Sequence, residues 1–543
     1  MSAGRILLLL LVTGAVAAPL ALPAIELVRR PAGWSALGEA GRIVPLAGHS
    51  LLLAAGAVAL AVPPGTFAAV LLERGRVPGS TVVRGLVTCG LFVPLPIYAA
   101  GWQAAVGTTG LPDAGGWRPW REGLVPAVWV HAVAGLPWVI WIVSLALRTA
   151  DPRLEDDAML AGGPRAVLRW VLWPRVRLAA VAAACWVGVQ ALTEIAVTDL
   201  MMVRTFAEEV YFQFVGNPAG VSAAVAVTVP AWVLSAAAAV WVARRAAGSL
   251  PTETELTRRP LLTGRRSRVI AGLGLWSTTV VLVGWPLAAL AVRAGGIEAV
   301  VRVARVHGPT LADSLLWSAV AGLLTAALAL GACWFARQSR CLGGVVLILV
   351  ALAWVTPAPL VGLGLKQAID LLLCAEEAVL AAVGAEPEFP PLRSLLYDQP
   401  SPVPAVWAQL IRFFPVAVAV VWPAVRAIPR AFLDVAALDG GRRAVWRGVV
   451  WPFVRPAFVR AAVAVGVLAL GEVVVSKLVQ PPGRQSFAQQ LFNAMHYGAD
   501  ATVAAMSLLQ VAAVTVACGV FVSSKAGHGL RVILRILTGG LRV

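Results

Sequence analysis

A chain of 543 residues that is 59% hydrophobic and only 13% charged, with a mean hydropathy of +0.82, lies well outside the range of about 45–50% apolar and about 25% charged typical of soluble domains. This composition excludes an ordinary soluble globule and requires an integral membrane protein with several spans. The net charge of +17 resides in arginines set in short loops between apolar runs, with no long basic tract or aromatic-interleaved groove. The partner it implies is the anionic inner face of a lipid bilayer, not a nucleic acid.

The first apolar run covers 6–28, after Arg5. Its AVAA at 15–18 has the small residues of a signal-cleavage site, but the run continues past it and more spans follow, so a retained helix is expected. Runs at 43–62, 82–105, 124–147, 176–198 and 219–243 follow, each near the ~20 residues that cross a hydrocarbon core. Residues 244–268, with Arg244, Arg245, Arg258, Arg259, Arg265, Arg266 and Arg268 beside Pro251 and Pro260, read as a polar linker. Six further runs lie at 269–292, 311–336, 342–365, 404–425, 456–475 and 499–522, so about twelve helices in two sets of six are predicted. An inside N-terminus places most of the 44 lysines and arginines in cytoplasmic loops, with both termini and the linker on that side and 366–403 outside. Within 366–403, residues 369–383 predict an amphipathic or re-entrant helix ahead of Pro387, Pro390 and Pro391; Glu376 and Glu377 suit either a solvated face or contact with an external protein. Pro94 with Pro96, and Pro357 with Pro359, remove amides from the helical ladder and predict bends. The six cysteines form no CxxC and the five histidines are dispersed, so no metal centre is expected from them.

Two stretches share one plan. Residues 154–179 read LEDDAMLAGGPRAVLRWVLWPRVRLA, and 432–457 read FLDVAALDGGRRAVWRGVVWPFVRPA. An offset of 278 superposes Asp156 on Asp434, Gly162-Gly163 on Gly440-Gly441 and Trp173-Pro174 on Trp451-Pro452. It also brings Pro137 onto Pro415 and Glu194 onto Glu472, and after a three-residue insertion Phe206 and Tyr211 fall on Phe487 and Phe492. Such a register predicts two homologous halves, 1–243 and 269–543. In each copy the acid is expected to cap or stabilise a short helix, the glycine pair to interrupt it, and the proline to stop or kink a second one.

The paired segments resemble the cytoplasmic "EAA" loop of membrane subunits in binding-protein-dependent ABC importers. The fused two-half form is similar to permeases of the iron(III), thiamine and aminoethylphosphonate group. The family's leading Glu corresponds to Asp156 and Asp434, its final Ala to Ala158 and Ala436, its Gly to Gly162 and Gly440, and its closing Pro to Pro174 and Pro452. The middle Ala is replaced by Asp157 and Val435, and the Leu before Pro by Trp173 and Trp451. The resemblance implies an all-α, type I importer permease with ATPase-coupling loops at 151–175 and 429–453. It further implies two copies of a cytoplasmic ATPase that binds ATP and Mg, an extracytoplasmic solute-binding protein, and residence in a bacterial inner membrane. Iron(III) is the first cargo expected, ahead of thiamine or a phosphonate.

The chain has no GxxxxGK[ST]; GLGLKQ at 362–367 lacks its spacing and its Ser/Thr, so ATP hydrolysis is expected in a separate subunit. Glu194 and Glu472, in ALTEIAVTDL and ALGEVVVSKL, are too costly to leave ionised in lipid and should face the bundle interior or a wet cavity. They either line the translocation path or make structural hydrogen bonds. Repeats and intramembrane carboxylates also occur in secondary transporters not coupled to ATP, which is the competing expectation.

Overall fold

In lipid a backbone must satisfy its own N–H and C=O groups, and apolar runs of the kind seen here meet that demand by coiling into helices. The computed structural model describes residues 11–106, 122–148, 150–216, 220–246, 261–262, 264–385, 390–498 and 500–523, and these residues are all-α. Most of the 244–268 linker and both chain ends lie outside the described residues.

The helices before the linker are α1 Ala18–Arg29, α2 Ala40–Arg74, α3 Ser80–Gly90, α4 Leu95–Val106, α5 Leu124–Arg148, α6 Pro152–Ala166, α7 Trp173–Thr193, α8 Ala196–Leu200, α9 Phe206–Gly216 and α10 Val221–Ala246. After it come α11 Arg265–Thr279, α12 Trp285–Arg293, α13 Ile297–Gln338, α14 Arg340–Val355, α15 Ala358–Val383, α16 Val403–Ala427, α17 Arg430–Ala444, α18 Trp451–Leu470, α19 Val474–Val479, α20 Phe487–His496 and α21 Asp500–Ser523. Among the described residues nine helical stretches are long and apolar enough to cross a membrane, or ten if a bent pair counts as one. On α2, Leu51, Leu52, Leu60 and Phe67 are exposed, the side-chain surface that a lipid-facing helix needs. The chain is therefore a polytopic, all-α membrane protein, consistent with a transporter.

Several predicted boundaries change. The run at 82–105 is not one helix: α3 and α4 meet at 112°, with Pro94 ahead of α4. The run at 342–365 also splits, because Pro357 has no amide to donate and pushes Thr356 into extended backbone (φ −68°, ψ 121°). The second piece, α15, then runs unbroken to Val383, so the predicted short helix at 369–383 is its C-terminal part. Glu376 there accepts from the backbone amides of Leu392 (2.6 Å) and Arg393 (2.9 Å), and Glu377 meets the Arg393 guanidinium at 2.8 Å, tying the returning chain to the helix.

Three long helices pack mutually on each side of the linker. Helices α2, α5 and α7 close around Leu53, Val139, Leu147 and Leu172, while α13, α16 and α18 close around Ile411, Phe414, Val421 and Val465. The first span on each side of the linker crosses over: α1 packs on α15 and α10, and α12, which continues the span begun by α11, packs on α4 and α21. Both crossings are made at glycines. A Cβ at Gly364 would overlap the Pro19 carbonyl, and one at Gly101 would lie 3.1 Å from Pro286. Close backbone approach of this kind is how helices associate where lipid removes the hydrophobic drive.

Candidate functional site

The two repeated loops fold alike, their glycine corners agreeing to within about 11°. Helix α6 and helix α17 each contain a corner at the glycine pair: Gly162 (φ −166°, ψ 20°) and Gly163 (φ 67°, ψ −161°) in one, Gly440 (φ −163°, ψ 22°) and Gly441 (φ 60°, ψ −150°) in the other. The second glycine occupies backbone space reserved for a residue without Cβ. The first is extended, but a Cβ there would sit 3.0 Å from Ala166 or 2.8 Å from Ala444. Each corner leads into a π-helical turn, Val167–Leu172 or Val445–Val450, at the same offset of 278. Pro174 and Pro452 follow at the first turns of α7 and α18, where a missing amide costs nothing; they open the long helices and do not stop a short one.

Capping differs from the expectation. Asp151, not Asp156, caps α6 by accepting from the Arg153 amide at 2.9 Å, and α17 starts after Pro429, which leaves Asp434 inside the helix. Ala158 packs against the core of the α2–α5–α7 cluster, and Ala436 is half-buried. The most exposed large apolar residues of the loops are Leu160 at 85% and Leu438 at 88%, at equivalent positions just before the glycine pairs. Leu154 and Phe432, also equivalent, are exposed beside them. Sequence reading passed over these leucines because a Leu in a short helix reads as core.

Under the first loop lies an ion pair that no motif signalled. The Arg74 guanidinium, at the end of α2, donates to Glu155 (2.6 Å) and to the Leu147 carbonyl (2.9 Å). In the second half Arg337, at the end of α13, donates instead to the carbonyls of Val425 and Ile428. Val425 is the counterpart of Leu147, so each long helix grips the end of α5 or α16 through an arginine, while Leu433 stands where Glu155 does.

At the far ends of α7 and α18 the chain breaks, and Glu194 and Glu472 sit at the breaks. Glu194 accepts from the amides of Ala196 (2.7 Å) and Val197 (2.9 Å); Glu472 accepts from Val475 (2.7 Å), Ser476 (2.9 Å) and the Ser476 hydroxyl. Each carboxylate thereby occupies the positive N-terminal end of α8 or α19, which explains how it tolerates burial. Both also line a single cavity of ≈190 Å³ with His131, Gln190, Arg412 and the Pro94 bend. The two readings of these acids thus coincide at one place: they make structural hydrogen bonds and they face a cavity. Because the far ends of α7 and α18 converge there, their near ends carry both glycine-cornered loops to the opposite end of the bundle.

The cavity is not symmetric. Arg412 projects from α16, donates to the Thr356 carbonyl at 3.1 Å where α14 ends, and interacts electrostatically with both Glu472 and Glu194. Its counterpart in α5 is Ala134, whereas His131 has Gln409 as its counterpart. His131 Nδ1 lies 2.8 Å from the Ala127 carbonyl and its Nε2 lies 3.5 Å from Glu194. Trp138 and Trp186 stack at 4.4 Å along the wall. Among the described residues no group of three or more His, Cys, Asp or Glu side chains is arranged to hold a metal ion. The chain matches no protein-family model, no curated protein and no solved structure.

Proposed function

We propose that this chain is the fused transmembrane subunit of an ATP-driven ABC importer in a bacterial inner membrane, built as two homologous six-helix halves. The observation that carries the reading is the pair of glycine corners with matching φ and ψ, each presenting an exposed leucine, Leu160 or Leu438. A leucine more than four-fifths exposed, with Leu154 or Phe432 exposed beside it, is poor design for a solvated turn and good design for insertion into a protein groove. In this reading Asp156, Ala158, Gly162 and Pro174, with Asp434, Ala436, Gly440 and Pro452, shape two coupling loops for two copies of a cytoplasmic ATPase. Closure of the ATPase pair would move both loops together. The rigid α7 and α18 would carry that motion to Glu194 and Glu472 at the other end.

A solute-binding protein would deliver cargo to the outer face, with both termini of the chain inside. We retain iron(III) as the first cargo to test, with thiamine and a phosphonate as the alternatives, since the soluble partner can select the cargo. The test is ATP-dependent uptake into proteoliposomes holding the chain, its ATPase and a candidate binding protein, with labelled iron(III), thiamine and phosphonate in parallel. The double variant Leu160→Ser/Leu438→Ser should insert normally yet lose ATPase association and uptake. Uptake driven by an ion gradient without ATP, or full coupling in the double variant, would overturn the importer reading.

A further inference from the structure

Buried charges of opposite sign ordinarily meet in direct ion pairs, because each is costly to leave without a partner. In the central cavity they do not meet. Arg412 donates to the Thr356 carbonyl at 3.1 Å, where the break before α15 leaves Thr356 in extended backbone, and this holds the guanidinium away from the acids. Its attraction to Glu472 and Glu194 acts across the cavity, with no carboxylate at ion-pair distance among the described residues. One of the five N–H groups of a guanidinium is thereby used; the others have no partner among the described residues, and Arg412 lines the cavity.

The acids are held from the other side. Glu194 and Glu472 direct lone pairs to the amides of α8 and α19, which fixes both carboxylates at the cavity wall, and each keeps further lone pairs free. The stacked indoles of Trp138 and Trp186 line the same cavity and add π surface that attracts a cation. Both signs are therefore present, separated, and open to the cavity. A ligand with negative charge alone meets two carboxylates, and one with positive charge alone meets the guanidinium. Only a ligand carrying both signs suits both. The volume of ≈190 Å³ lies below the roughly 300–1,000 Å³ of pockets for drug-sized molecules, so that ligand is small.

We propose that the central cavity binds a small zwitterion, with its oxyanion group on the open edge of Arg412 and its ammonium group beside Glu194 and Glu472. The planar guanidinium offers paired N–H groups to two oxygens of a carboxylate, sulfonate or phosphonate. The ammonium donates its hydrogens to the lone pairs that capping leaves free. Ala134, the counterpart of Arg412 in the first half, is uncharged, so the cavity has one oxyanion position and holds one ligand. An apolar seam covers it on the side away from the glycine-cornered loops: Ala196 and Leu200 of α8 pack there with Val473, Val474, Ala488 and Phe492 of the second half. With the seam closed, exclusion of water strengthens both charge contacts.

That the zwitterion is an importer's cargo rests on the function proposed above, and such solutes then join iron(III), thiamine and phosphonate in the uptake assay. Binding itself needs neither ATPase nor nucleotide. Isothermal titration calorimetry on the full chain in phosphatidylglycerol nanodiscs compares glycine, β-alanine, taurine and aminomethylphosphonate with propionate and ethylammonium, each of the last two being β-alanine stripped of one charged group. At least one zwitterion should bind once per chain, about tenfold or more tighter than either singly charged analogue. Unchanged affinity in discs of phosphatidylethanolamine, a zwitterionic lipid, marks the ligand as a free solute; competition by that lipid would overturn a solute site. Arg412→Ala, which installs the residue of the first half, should lose about tenfold or more in zwitterion affinity and gain ethylammonium binding, because two carboxylates are then unopposed. A chain that had merely unfolded would gain nothing. Arg412→Lys, which keeps the charge without the fork, should bind the zwitterion with intermediate affinity. A native chain that binds no zwitterion, or binds propionate or ethylammonium as tightly, or an Arg412→Ala variant with native zwitterion affinity, would overturn the site and leave the importer reading intact. Failed ATP-dependent uptake alongside intact zwitterion binding would do the reverse.

Discussion

The buried pair beneath the first loop gives the sharpest quantitative test of how that loop is held. Arg74 and Glu155 have side chains only 1% and 3% exposed and meet at 2.6 Å, so neither charge can fall back on solvent. Glu155→Leu installs the residue found at the equivalent place in the second half and leaves the guanidinium buried without this counter-charge. Breaking a buried pair from one side costs about 3–5 kcal/mol, against a net value near zero when both partners become apolar. Since about 1.4 kcal/mol is a factor of ten, the fraction of molecules with the loop detached should rise by roughly two to three and a half powers of ten. Limited trypsin cleavage at Arg153, Arg165 and Arg169 in nanodiscs reads that fraction when opening is fast relative to cutting. None of those sites is altered by the substitution. The equivalent loop, with Arg442 and Arg443, should be cut at its native rate and serves as the internal control. Arg74→Met added to Glu155→Leu should restore most of the protection. Cleavage in Glu155→Leu within about threefold of native, or a double variant as labile as the single, would refute the reasoning.

Two further outcomes are expected. Gly441→Val forces a β-branched residue to φ 60°, ψ −150°, at a cost of about 1–3 kcal/mol, so exchange protection over 430–450 should fall, whereas Gly448→Ala, with nothing within 4 Å of its Cβ, should leave it unchanged; equal behaviour of the two would show that the corner does not depend on glycine. Glu208 is held above the ordinary carboxyl range, chiefly by burial and then by the Asp199 charge. A raised folded value means that its stabilising contribution is complete below the unfolded pKa and is lost as pH rises through the folded one, so Glu208→Gln should raise the thermal midpoint at pH 7 and leave it unchanged near pH 4. A lower midpoint at pH 7 would reverse the sign and refute the assignment.

Helix existence was legible because lipid imposes one backbone solution on every long apolar run, and the span at 124–147 falls within a residue of α5. Helix ends were less legible. The run at 311–336 extends back to Ile297 in α13, since polar residues can continue a helix beyond the hydrocarbon core without leaving a hydropathy signal. The Gly-Gly pair announced its corner, but not that Gly163 and Gly441, rather than Gly162 and Gly440, carry the positive φ. Glu194 and Glu472 could be singled out because an acid in an apolar run must be satisfied somewhere; their capping of α8 and α19 depends on a chain break that periodicity does not mark. Arg412, His131 and the Arg74–Glu155 pair were invisible because each is defined by partners many residues away, and Arg412 has no counterpart in the first half to draw notice.

In the importer proposed above, the crossed first helices restrict which parts can move. Helix α1 rests on α15 at Gly364 and α12 rests on α4 at Gly101, so separating the halves would break close contacts on both sides at once. The seam over the cavity is smaller. It is made of Ala196, Ala488 and a few larger apolar side chains; its helices α8 and α19 follow the long helices across the breaks at Glu194 and Glu472, and α19 also packs on α15 and α16, where a Cβ at Gly362 would lie 2.9 Å from Leu478. A helix of twenty residues spans about 30 Å as a nearly rigid rod, so a tilt imposed at a glycine corner reaches the break little diminished. There it acts on the seam and on the packing of α19 against α15 and α16. The capping hydrogen bonds at the two carboxylates survive such a tilt, because each links an acid to the short helix that immediately follows it. Opening would therefore carry each acid together with its short helix as one piece, exposing the cavity without leaving a buried carboxylate unsatisfied at any point in the motion.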